Sequence, residues 1–133
     1  MPRRVSPHPA KSELEILSIL WQEGPCTVRR IHDLLQADGR DTSLTTTLKT
    51  MQIMVDKGFL TRSDTRPHMY SAAASAETTQ AGLLQDLAQK AFGGSLRKML
   101  VRAVQDVGLG EDELQEISRL INSTRRGRKG GTK

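Results

Sequence analysis

The stretch TSLTTTLKTMQIMVDKGFLTRSDTRPHMYS, residues 42–71, changes its hydrophobic period part-way through, and that change sets the fold class. From Thr42 or Ser43 onward, Leu44, Leu48, Met51 and Val55 recur at helical spacing along one stripe, and Gly58 offers a left-handed stop. The opposite face carries Thr45, Thr46, Lys49 and Gln52, a hydrogen-bonding surface with few charges, although β-branched threonine is a poor helix former. Beyond Gly58 the pattern shortens. Phe59 to Arg62 and His68 to Ser71 are extended candidates across the turn-like SDTRP, which predicts a two-stranded hairpin.

Upstream, Ser12 with Glu15 reads as a capping box opening a first helix, with Leu14, Leu17, Leu20 and Trp21 on one face and Gly24-Pro25 as its stop. Thr27 is a plausible N-cap for a second helix that turns Val28, Ile31, Leu34 and Leu35 inward and ends in the polar loop from Ala37 to Asp41. Three helices and then a hairpin form the winged helix-turn-helix order, in which the third helix enters the major groove of duplex DNA. The expected fold class is mainly α, an α+β winged helix-turn-helix followed by a helical segment.

That segment holds three further helical patterns. Leu83, Leu84, Leu87, Ala91 and Phe92 mark one up to Gly93-Gly94; Leu96, Met99, Leu100, Ala103 and Val107 mark the next. Leu114, Ile117, Leu120 and Ile121 mark the last, after the acidic start Glu111-Asp112-Glu113 that suits a helix dipole. Roughly 50 residues bury too little surface alone to offset their ordering entropy, so these stripes need a partner. A second copy would hide them and would place two recognition helices about a two-fold axis. The expected dimer residues are Leu83, Leu84, Leu87, Phe92, Met99, Leu100, Leu114, Ile117, Leu120 and Ile121. The domain organisation reads as a basic arm over 1–11, a winged helix over 12–74, a dimerisation segment over 75–123 and a basic tail over 124–133, both arms being expected to be flexible.

Composition narrows the function classes. At 133 residues, the chain has no room for a large multidomain enzyme, and its 3% aromatic content requires an aliphatic, partly Met core. The net charge of +5 is local: five of the 20 basic residues follow Thr124, and the rest balance the 15 acidic ones, so the body is neutral. One cysteine, Cys26, excludes an internal disulfide and suits a reducing compartment; redox sensing there is a guess, and a plain small residue is the simpler reading. No apolar run reaches the ~18 residues of a membrane span, and MPRRVSPHPAK lacks a signal peptide's apolar stretch, so a cytoplasmic protein without membrane association is expected. His8, His32 and His68 are too scattered for a metal site, and no Ser-His-acid motif or phosphate-binding glycine loop supports catalysis. No cofactor, metal or enzymatic activity is expected. Two rivals stand beside the DNA reading: a protein-interaction module on a winged-helix scaffold, and a small hydrolase for which no nucleophile is evident.

Four pieces kept in order resemble a known group. LWQEGPCTVRRIH (Leu20 to His32), TTTLKTMQIMVDKGFL (Thr45 to Leu60), RPHMY (Arg66 to Tyr70) and LLQDLAQKAFGGS (Leu83 to Ser95) are similar to the penicillinase-repressor (BlaI/MecI/CopY) group of bacterial transcriptional regulators, over about residues 12 to 123. The resemblance implies a homodimeric repressor on a palindromic double-stranded operator. It implies base-edge or phosphate contacts from Thr45 and Thr46, phosphate contact from Lys49, and phosphate or minor-groove contact from Arg66. Ser43, Gln52 and Arg62 complete the candidate DNA-binding set. The chain also departs from the group. Some members are inactivated by a sensor protease cutting an Asn-Phe bond, where this chain reads Val101-Arg102-Ala103-Val104, so that site is expected to be absent and a protease partner stays open. The C-terminal cysteines of copper-responsive members are missing, and Ile53 stands where many relatives carry Arg.

Overall fold

The structure, a computed structural model, describes residues 8–131, with side chains through Arg128. Its elements in chain order are α1 (Lys11–Glu23), α2 (Val28–Ala37), α3 (Leu44–Lys57), β1 (Leu60–Arg62), β2 (Tyr70–Ala72), α4 (Ala76–Ala91), α5 (Leu96–Arg102), a π-helical turn (Ala103–Gly108) and α6 (Glu111–Gly131). This is the winged-helix order followed by helices. Two compact units divide inside α4, between Leu83 and Leu84, whereas the sequence boundary was drawn at 74/75.

The first unit is built on α1. This helix begins two residues earlier than the Ser12-Glu15 box implies: Ala10 is the N-cap, and the Glu13 carboxylate accepts from the Ala10 N–H at 2.8 Å. Alanine has no acceptor to return, so only half of a capping box forms. The buried face is correspondingly rotated onto Glu13, Ile16, Leu17, Ile19 and Leu20, while Leu14 and Trp21 are half-buried flanks. Glu13 can sit inside because Lys57, at the end of α3, donates to its other oxygen at 2.8 Å. Glu15, the expected box partner, instead holds Arg40 of the loop after α2.

Ile16, Leu17, Leu20, Ile31, Leu35, Met51, Met54, Leu60 and Tyr70 lie in one aliphatic core with Cys26. In α3 the inward stripe is Thr47, Met51 and Met54, with Leu48 and Val55 half-buried. Thr47, unlike its neighbours Thr45 and Thr46, is turned inward. Its hydroxyl donates to the Ser43 carbonyl at 3.2 Å, a bond within its own helix that lets a polar side chain be buried.

The hairpin is antiparallel, with Leu60 opposite Ala72, Thr61 opposite Ser71 and Arg62 opposite Tyr70. Its second strand starts later than His68, because a side-chain network occupies the turn. The free backbone edge of Tyr70 is taken by Cys26: the Cys26 N–H donates to the Tyr70 carbonyl at 3.0 Å, and the Tyr70 N–H donates back at 2.8 Å. Cys26 is thus a buried sheet residue. Burial chiefly, and the Glu23 carboxylate next, push its thiol above the ordinary value against an opposing pull from Arg30. That corrects the guess of redox sensing, which needs an exposed thiolate.

In the second unit, the stripe expected as one helix ends at Arg102, and the chain continues as a π turn to Gly108. Val101, Val104 and Val107 with a closing glycine make a weak helix former, which fits the break. Helix α6 runs on through Arg125, Arg126 and Arg128 to Gly131, so the segment expected as a flexible tail continues the helix. The expected N-terminal arm, with Arg3 and Arg4, lies outside the described residues except for its last four; of these, Lys11 opens α1.

Candidate nucleic-acid interface

The position of α3 is fixed at both ends. At its start the Ser43 hydroxyl accepts from the Thr46 N–H at 3.1 Å and donates to the Thr46 hydroxyl at 3.0 Å. At its end Gly58 takes φ +87°, and the Phe59 N–H closes onto the Met54 carbonyl at 2.9 Å. The turn leading into α3 is held from α2, where His32 Nε2 donates to the Thr42 carbonyl at 2.9 Å. His32 Nδ1 is buried and has no hydrogen-bond partner, with an Asp33 carboxylate oxygen 3.7 Å away.

With its inner stripe locked into the core, α3 presents Thr45, Thr46, Lys49, Gln52, Ile53 and Asp56 to solvent. At 3.6 residues per turn these positions cover about 120° of the helix circumference, a single face. Every residue of the sequence-derived set is exposed: Ser43 at the N-cap of α3, Thr45, Thr46, Lys49 and Gln52 on α3, Arg62 on β1 and Arg66 in the hairpin turn. The Ser43 hydroxyl is engaged in capping, with the Thr46 N–H and the Thr46 hydroxyl as its partners.

The turn that carries Arg66 is rigid for reasons of side-chain chemistry. Ser63 Oγ accepts from the Met69 N–H at 2.8 Å and lies 2.6 Å from Thr65 Oγ1, which donates to the Pro67 carbonyl at 3.1 Å. His68 Nδ1 donates to the Ser63 carbonyl at 2.8 Å, and its ring meets Tyr70 edge-on. A tight turn of this kind holds Arg66 outward without burying any of its charge.

The cations divide into two sets. Arg30 pairs with Glu23, Arg40 with Glu15 and Lys57 with Glu13. Among the described residues, no ion pair engages Lys49, Arg62 or Arg66, whose charges therefore face water. Such an arrangement can attract phosphate through the cations and offer hydroxyl and amide hydrogen bonds to base edges. Two exposed residues escaped the sequence-derived set. Arg29, in the first turn of α2, carries a charge that periodicity reads as an ordinary solvated position, and Ile53 is noted in the sequence only as a departure from the Arg of many relatives.

The dimerisation set lies on α4, α5 and α6 and in the turn after α4. Leu84, Leu87, Leu100, Ile117, Leu120 and Ile121 are exposed, with Leu100 at 61% and Leu120 at 65%. Leu83, Phe92 and Leu114 are half-buried, whereas Met99 is buried within the chain and has little surface to give a partner. Among the described residues no cluster of three or more His, Cys, Asp or Glu could hold a metal ion, and no helix is long and apolar enough to cross a membrane.

Comparison with known proteins bears on the whole of this arrangement. The family model described as penicillinase repressor matches residues 9–123. No curated protein matches the chain in a sequence search. The matched range takes in both units, from the N-cap of α1 into α6, and the chain belongs to the penicillinase repressor family, a family of transcriptional regulators.

Proposed function

We propose that this regulator is a repressor that binds a palindromic operator as a homodimer, with α3 in the major groove and the hairpin against the flanking backbone. The observation that carries this reading is the outer face of α3: polar, exposed, and backed by a helix whose other side is locked in the core. Thr45, Thr46 and Gln52 offer hydrogen bonds to base edges, whereas Lys49, Arg62 and Arg66 neutralise phosphates. The exposed leucines and isoleucines of the second unit support self-association, because soluble monomers rarely leave such patches uncovered. The winged helix over 12–74 and the segment over 75–123 would then divide the work between reading and pairing, in the cytoplasm where the duplex lies.

Selection of bound fragments from random duplex DNA, followed by gel-shift titration at several salt concentrations, tests the proposal. An inverted-repeat consensus, bound with an affinity that falls steeply with salt, is the expected result. A purified chain that enriches no sequence and binds no duplex at low salt would point instead to a winged helix used as a protein-interaction module.

A further inference from the structure

Among the described residues of the first unit, large apolar side chains are exposed at only two places, Ile53 at 42% and Met69 at 36%. Ile53 stands on the outer face of α3. It lies four residues beyond Lys49 and eight beyond Thr45, so it shares their face, about 12 Å along the axis from Thr45. A solvated helix position favours Lys, Glu, Gln or Ala, and β-branched isoleucine there carries a propensity penalty while leaving 42% of its surface uncovered by the chain. An apolar group outside the chain would cover that remainder.

The face around it limits what that group can be. Lys49 supplies positive charge, and Thr45, Thr46 and Gln52 supply neutral hydrogen-bonding groups, a lining suited to a nucleic-acid groove and wasteful against a hydrophobic protein surface. Asp56, three residues further on the same face, repels phosphate and so limits the contact to the part of the helix before it. Within the major groove, the thymine C5-methyl is the apolar group that base edges display, and phosphates and sugars present nothing comparable. Gln52, beside Ile53, has the amide that pairs with adenine N6 and N7, so both side chains favour A·T steps.

We infer that Ile53 is a specificity-determining residue that reads a thymine methyl group in each half-site, an inference that rests on the DNA-binding reading of α3. Its neighbours on the face would place the helix, and Ile53 would distinguish thymine from the bases that lack a methyl.

The test uses the full chain and the duplex selected by the wild-type protein, with each symmetric pair of thymines replaced in turn by deoxyuridine, which differs only in lacking the methyl. Fluorescence anisotropy gives the affinities. At one symmetric pair the wild type should bind deoxyuridine about three- to fivefold more weakly per half-site, the scale of one methyl removed from water. Ile53→Ala should bind the thymine and deoxyuridine duplexes equally at that pair, and Ile53→Val should keep part of the discrimination. Because the side chain is exposed, both variants should melt with the wild type. A thymine preference that survives Ile53→Ala at every position, or a wild type indifferent to deoxyuridine throughout, would overturn the inference while leaving DNA binding intact. Failure of the wild type to select any duplex would be a different result, removing the DNA-binding reading and this inference with it.

Discussion

Three consecutive threonines on α3 do three different things. Thr45 faces solvent, Thr46 donates its backbone N–H to the Ser43 hydroxyl and accepts from that hydroxyl on its own Oγ1, and Thr47 is buried with its hydroxyl on the Ser43 carbonyl. Composition cannot separate them, since only the rotation of the helix does, and that rotation is set by Met51 and Met54 in the core. Lys49 and Arg66 are simpler, being exposed cations without an internal carboxylate partner among the described residues. Replacing either by alanine should weaken operator binding across sequences and reduce the slope of log affinity against log salt by ~1 for each phosphate contact removed. Salt-dependent titration of both variants measures this, and slopes equal to the wild type would remove these residues from the interface. Cys26 invites a prediction of the opposite sort, an inert thiol. Burial holds its folded pKa above that of an ordinary thiol, so its contribution to stability is complete below the ordinary value and is lost as pH rises through the folded one. Thermal melts between neutral pH and pH 11 should show a loss that Cys26→Ala lessens, and native protein should resist alkylation until unfolded. Rapid labelling of the folded chain would contradict this account.

Among the elements, α2, α3 and the hairpin were legible because their signals are local. Thr27 and Ser43 cap where a polar side chain precedes an apolar stripe, and Gly58 supplies the one left-handed residue that closes α3. The start of α1 was not legible, because its phase depends on a buried carboxylate whose partner lies 44 residues away in sequence. Nor was the break after Arg102, which replaces a long helix by a π turn, or the continuation of α6 through Gly127. Glycines near a chain end read as breakers whether or not the helix passes through them. The bond between Glu13 and Lys57 joins the first turn of α1 to the last turn of α3, and Lys57 also lies over the Phe59 ring at 5.9 Å. Glu13→Leu should therefore destabilise the first unit by about 2 kcal/mol, because the Ala10 N–H loses its acceptor and the Lys57 ammonium loses its buried carboxylate partner. In a double-mutant cycle with Lys57→Met, part of that loss should vanish, the two changes being coupled through one contact. Strictly additive urea-denaturation energies would show that the contact does not anchor α3.

For the whole molecule, charge and apolar surface are distributed unequally. Residues 1–124 are neutral, and the excess basic charge follows Thr124, so overall charge says little about where a duplex would bind; the exposed cations Lys49, Arg62 and Arg66 say more. The apolar excess lies in the second unit, where Leu84 is 52% and Leu87 49% exposed, and a self-associating surface could be expected from the periodicity because those stripes exceed what a short helical segment can hide. Sequence could not separate Met99, turned into the chain, from Leu100, turned out, because both fit one amphipathic stripe. If the uncovered leucines are the seam between two copies, an aspartate placed there is harmless to the isolated chain and costly only on pairing. Leu87→Asp should accordingly leave the circular dichroism spectrum helical and reduce the mass measured by sedimentation from two chains to one. Operator affinity should fall by at least about tenfold, since two half-sites would no longer be bound together. The informative comparison is with Met99→Ala, which removes core volume from within one chain: it should lower melting temperature and leave the pairing of the folded fraction intact. A Leu87→Asp protein that still sediments as two chains and binds its operator undiminished would place the pairing surface elsewhere in the second unit, and the candidates would then be the exposed residues of α5 and α6.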